Sequence, residues 1–92
     1  MPVLLLTYEL VREHDPEFDY YKFFNVRDTY QPVKLTEGAY ALVTAETSSE
    51  VRHKLQKHLH RDDNLFVFVL DKPYSGRGLK KTVDWLDEHL PQ

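Results

Sequence analysis

The chain contains no cysteine, only three glycines, one methionine and one tryptophan among its 92 residues. Without cysteine there is no disulfide staple, no thiolate nucleophile, no cysteine-ligated zinc site and no iron–sulfur cluster. Long hydrophobic runs are missing as well. The apolar opening PVLLL falls far short of the roughly 20 residues that a membrane-spanning helix needs. It lacks a basic leader and a small-residue cleavage site, so it does not read as a signal peptide, and the expectation is a soluble, cytoplasmic protein with no membrane partner. Positive charge is not in surplus either: 12 Lys and Arg against 15 Asp and Glu give a formal net charge of -3. Such a chain has no long-range steering toward nucleic acid, so any basic face must be local.

Aromatic residues are plentiful, with six Tyr and five Phe. The length fits a single domain spanning residues 1–92. A domain this small buries a limited share of its surface, and a second subunit enlarges its core directly.

Hydrophobic patterning divides the chain into alternating strands and helices. VLLLTYEL (3–10) is an apolar run with too few polar positions for a surface helix and reads as a buried central strand. Asp15, followed by Pro16 and Glu17, has the form of a helix start, with Asp19 as a rival cap. From about Phe18 to Tyr30, the residues Tyr20, Phe23, Phe24, Arg27 and Tyr30 recur at helical spacing and form an aromatic face. Gln31-Pro32 ends that helix. Val33 to Leu35 is a brief strand, Thr36-Glu37-Gly38 a turn and Ala39 to Ala45 a longer strand.

Thr47, with Glu50 three residues on, has the capping-box spacing and opens a second helix. Val51, Leu55 and Leu59 form its apolar stripe, and the pattern continues to Arg61. LFVFVL (65–70) is a bounded aromatic and β-branched run, hence a strand. After the connection DKPYSGRG, a last helix runs from Leu79 to Leu90, with Leu79, Val83, Leu86 and Leu90 on one face and Pro91 as its stop. This order predicts an α+β domain: a four-stranded antiparallel sheet, two helices on one face and a C-terminal helix besides. The strands are apolar on both faces, so the second face must be covered by the C-terminal helix, a symmetric partner subunit, or both. Both together are expected, as one short helix spans only part of such a sheet.

Chemistry has few places to reside. Glu9 stands at the end of the first strand, and in a two-fold dimer it and its symmetry mate could hold one Mg²⁺ for phosphodiester hydrolysis. The competing reading is a solvated strand-end acid, or one paired with Arg12. Arg52, Lys54, Lys57 and Arg61 lie on the polar side of the helix at 48–61, with Arg77 as an addition, and could touch the phosphates of RNA or DNA. Lys22, Arg27, Lys34, Lys80 and Lys81 would join if they fell on the same side, and the alternative is an ordinary solvated face. His53, His58 and His60 lack the spacing of a zinc site. His14, in the polar loop after the first strand, is a candidate proton carrier. Tyr8, Tyr20 and Tyr21 could stack on bases, although packing explains them equally well. Asp62 and Asp63 read as turn formers.

Six segments together resemble the family of small CRISPR-associated endonucleases and adaptation-complex proteins. These are LLTYEL, YYKFF, KLTEGAYALVTA, SSEVRHKLQKHL, DDNLFVFVL and VDWLDEHL. The likeness covers nearly the whole chain and is closer to the stand-alone bacterial proteins labelled SinR-like; virulence-associated ribonuclease D proteins share the broader family. It implies a ferredoxin-like βαββαβ domain, dimeric by sheet-to-sheet packing, with a strand-end aspartate paired across the dimer around Mg²⁺. Here that position is Glu9, in YEL rather than YDL. The family pattern often has Ser at Gly38 and Trp at Tyr40, and an acid at Asp63. No helix-turn-helix accompanies the label. Three functions remain open: a Mg²⁺-dependent endonuclease, a catalytically silent homodimer binding nucleic acid or protein, and a metal-independent, toxin-like ribonuclease using His14.

Overall fold

The computed structural model describes residues 1–90. In chain order it has β1 (Val3–Glu9), α1 (Tyr21–Thr29), β2 (Val33–Thr36), β3 (Ala39–Val43), α2 (Ser48–Gln56), β4 (Asn64–Leu70) and α3 (Lys80–His89). The strands form one sheet in the order β2-β3-β1-β4, and every adjacent pair is antiparallel. This α+β arrangement is consistent with a ferredoxin-like topology carrying an extra C-terminal helix. Among the described residues no helix is long and apolar enough to cross a membrane.

Alternation along β1 sorts the sheet into two faces. Leu4 and Leu6 point to one side and pack with Leu42, Phe23, Tyr20, Val51 and Leu55 beneath α1 and α2. Val3 points to the other, where Ala41 joins it under Leu86 and Leu90 of α3. Burial of each of these two leucines contributes about 2 kcal/mol, enough to hold a ten-residue helix that has no side-chain cap.

The second face is only half covered. Val33, Leu35, Val43 and Leu70 close around α3, which adds Trp85 to the contact, but the opposite side of that face stays open. Registration of β1 with β4 sets Phe68 opposite Leu5 and Phe66 opposite Thr7, on the same face as Val3. Their rings stack with centroids 6.2 Å apart and are 58% and 53% exposed for Phe66 and Phe68 respectively. β4 is an edge strand, so the aromatic run at 65–70 is the least covered of the long strands.

Several boundaries differ from expectation. α1 begins at Tyr21, and neither Asp15 nor Asp19 is its N-cap. Each instead folds a local turn, Asp15 accepting from the Glu17 amide at 2.9 Å and Asp19 from that of Tyr21 at 2.8 Å. Gln31 closes α1 in the left-handed region at φ 51°, its amide donating to the Asp28 carbonyl. α2 starts as predicted: Thr47 and Glu50 form both halves of the capping box. It ends at Gln56, however, and Lys57 to Arg61 lie beyond it. Leu79, assigned to the apolar face of α3, is 67% exposed, and Thr82 takes the inward place. Pro91, the expected stop for α3, lies outside the described residues.

Candidate functional site

Glu9 ends β1 opposite Asn64, the first residue of β4. Strand alternation puts it on the half-open face with Thr7 and Phe66. Its carboxylate is exposed, and Oε1 accepts from the side-chain Nδ2 of Asn64 at 3.3 Å. Arg12 is not its partner: that guanidinium lies 3.6 Å from Asp15. Among the described residues, no three His, Cys, Asp or Glu side chains converge as metal donors. Glu9 is the carboxylate one chain would bring to a shared ion here, since Asp63, at the same end of the sheet, is taken up by Val11, Tyr20 and His60. Two copies would supply two, which meets the demand of a Mg²⁺ ion that keeps several waters.

His14 is exposed in the turn after β1 and makes no side-chain hydrogen bond or ion pair among the described residues. The neighbouring chain is fixed by Asp63. Its Oδ1 accepts from the Val11 amide at 2.8 Å and from the Tyr20 hydroxyl at 2.9 Å, and its Oδ2 accepts from the His60 amide at 2.7 Å. One carboxylate thus ties the end of β1, the start of α1 and the turn before β4. The sequence marks Asp63 as a turn former, but two of these three bonds span 52 and 43 residues. No local pattern reveals them.

The basic residues do not form one face. Arg52 and Lys54 project from α2, but Arg52 bonds Gln56 at 2.5 Å and Lys54 pairs with Glu46. Lys57 is the C-cap residue, and Arg61 sits in the following turn. Lys57 and Arg61 form no ion pair among the described residues. Arg77 lies in the 71–79 connection beside β2 and α3, away from α2, and does not extend this surface. Lys34 and Lys80 are held by Glu37 and Asp84, at 2.8 Å and 2.6 Å.

Arg27 belongs to no basic surface. It reaches from α1 over the sheet, donating to the Tyr8 hydroxyl at 2.7 Å and the Tyr40 hydroxyl at 3.3 Å, while Nε donates to Asp28 at 2.9 Å. Its guanidinium carbon lies 4.5 Å from the Tyr40 ring centroid and 4.8 Å from that of Phe24. Burial pushes the Tyr8 hydroxyl up to about 12, against the opposing pull of Arg27. Glu13 and Glu37 share the small cavity beside this cluster, of about 250 Å³, and disfavour an anion there. Of the three tyrosines considered for base stacking, Tyr20 is buried and Tyr8 half-buried, which leaves Tyr21 as the exposed one.

Compared with known proteins, the chain matches no family model, no curated protein and no solved structure. The site must be read from its own geometry.

Proposed function

We propose that the chain works as a homodimer associated with nucleic acid, joined through the open half of its second sheet face. In its enzymatic form it would be a Mg²⁺-dependent phosphodiester hydrolase. One observation carries this reading: the strand-end acid Glu9 shares its face with the exposed Phe66 and Phe68. Packing that hides the two rings places Glu9 at or beside the same junction. Covering the exposed halves of four rings in a symmetric pair would contribute on the order of 4–6 kcal/mol. That only matches the low end of the entropic cost of association, so Leu5, Thr7 and Ala39 must add contact area.

In this reading Glu9 and the partner subunit's Glu9 hold Mg²⁺, which when bound supplies charge stabilisation at a phosphoryl oxygen. Lys57 and Arg61, the unpaired cations nearest the end of α2, would contact phosphates without reading sequence. A second reading, a catalytically silent binding dimer, is favoured by the Asn64 bond to Glu9 and by the internal pairing of Arg52 and Lys54.

The two are separated by incubating the protein with RNA and with DNA in Mg²⁺ and in chelator, and by measuring binding across a salt series. Cleavage lost both in chelator and in Glu9→Ala supports the hydrolase. Salt-sensitive binding without cleavage supports the silent dimer. Cleavage that survives chelator and disappears in His14→Ala would establish the metal-independent ribonuclease instead. Neither binding nor cleavage at low salt sinks the nucleic-acid reading.

A further inference from the structure

A sizeable cavity is at the other edge of the sheet, far from the β4 edge. It is a groove of about 810 Å³ between β2, the 74–79 connection and the first turns of α3. Val33, Leu35, Val83 and Leu86 give it an apolar floor. Its charged lining consists of Lys34, Glu37, Arg77 and Lys81. Lys34 and Glu37 satisfy each other at 2.8 Å. Arg77 and Lys81 form no ion pair among the described residues, although the chain as a whole is acidic.

We propose that this groove is a binding site for a small organic anion with an apolar body, such as a medium-chain carboxylate. Three features support this. The volume falls inside the range of about 300–1,000 Å³ typical of small-molecule sites, which likewise combine apolar walls with a few polar groups. Two cations without acidic partners select a negative head group and disfavour a positive one. The walls are also of two kinds. β2 and α3 are fixed to each other, Thr82 Oγ1 donating to the Lys34 carbonyl at 3.5 Å, whereas the connection carries Gly76 and Gly78 in open space and can settle over a ligand. A nucleic-acid strand is a poorer fit, because the floor between the cations is aliphatic and the aromatic ring in the lining, Tyr74, is tethered through its hydroxyl to Asp87 at 2.7 Å. The site does not rest on the dimer reading, whose ring contacts, Phe66 and Phe68, lie on β4 at the opposite edge of the sheet.

The test titrates sodium decanoate into the full chain by calorimetry and maps backbone amide shifts by NMR, with decyltrimethylammonium as the charge-reversed control. Saturable one-site binding of decanoate is expected, with shifts gathered at residues 33–37 and 75–82 and weaker binding of the cation. The Arg77→Glu, Lys81→Glu double variant should bind decanoate roughly tenfold more weakly or worse. Both positions are exposed, so its thermal unfolding should match the parent. Equal affinity for the two amphiphiles, unchanged affinity in the double variant, or shifts confined to residues 64–70 would each overturn the proposal. Failure here leaves the cleavage and salt-series results unaffected.

Discussion

At the scale of single residues, Arg27 and Asp63 organise more of this molecule than any acid or base picked out for chemistry. Arg27 gathers two tyrosine hydroxyls and two ring faces, and a titration consequence follows. Burial raises the Tyr8 hydroxyl to about 12, and burial likewise raises Tyr20 and Tyr30 above the ordinary tyrosine value. A group whose folded pKa lies above its unfolded one contributes stability that is complete below the unfolded pKa, about 10 for tyrosine. That contribution is lost as pH rises through the folded value. The melting temperature should therefore fall progressively from pH 10 toward pH 12. Replacing Arg27 with Met should delay Tyr8 ionisation further, because the guanidinium pulls against burial. Ultraviolet difference titration of tyrosinate reads this directly, and unchanged or earlier Tyr8 ionisation would contradict the role given to Arg27. Its spacing in the sequence places Arg27 on an aromatic helix face, which is correct. Nothing in that spacing shows the side chain folding inward over Tyr40.

At the scale of elements, the turn between β2 and β3 presses on β1. The Tyr8 amide donates to the Gly38 carbonyl at 2.9 Å, and a Cβ built on Gly38 would lie 2.5 Å from the Tyr8 carbonyl oxygen. That contact is with backbone, so neither side can yield cheaply. Gly38→Ala should destabilise the fold by about 1–3 kcal/mol, the range for overpacking, as measured by urea unfolding. Wild-type stability in this variant would show that the turn moves freely. A serine at this position would likewise need the turn to sit farther from β1. The sequence reveals the turn itself, through Thr36-Glu37-Gly38, but not its pressure on a strand 30 residues earlier. The same division holds elsewhere. The Thr47–Glu50 box is local and legible, whereas the early end of α2 and the exposed start of α3 depend on tertiary packing.

At the scale of the whole molecule, the strand composition anticipates a sheet with two apolar faces, and this is what the chain builds. The distribution of cover is not legible, because it depends on where α3 lands. α3 settles toward β2, β3 and the start of β1, leaving Phe66 and Phe68 in water. If two copies join through these rings, Phe66→Glu with Phe68→Glu should shift the chain from dimer to monomer in light scattering, with far-ultraviolet circular dichroism unchanged. A parent chain that stays monomeric at tens of micromolar would refute the dimer. The candidate site was legible only in part: the sequence puts Glu9 at the strand end but not on a particular face, the basic residues scatter, and the β2–α3 groove left no linear signal at all.

The placement of the helices also governs how far assembly can proceed. A bare two-sided sheet can stack copy on copy without end. Here α1 and α2 seal one face, and α3 blocks half of the other, so among the described residues the two sheet faces leave one open apolar area on each copy. Two copies that meet there exhaust it. α1 and α2 still seal the first face in a chain shortened before Lys80, so such a chain would offer a wider docking area but no second one.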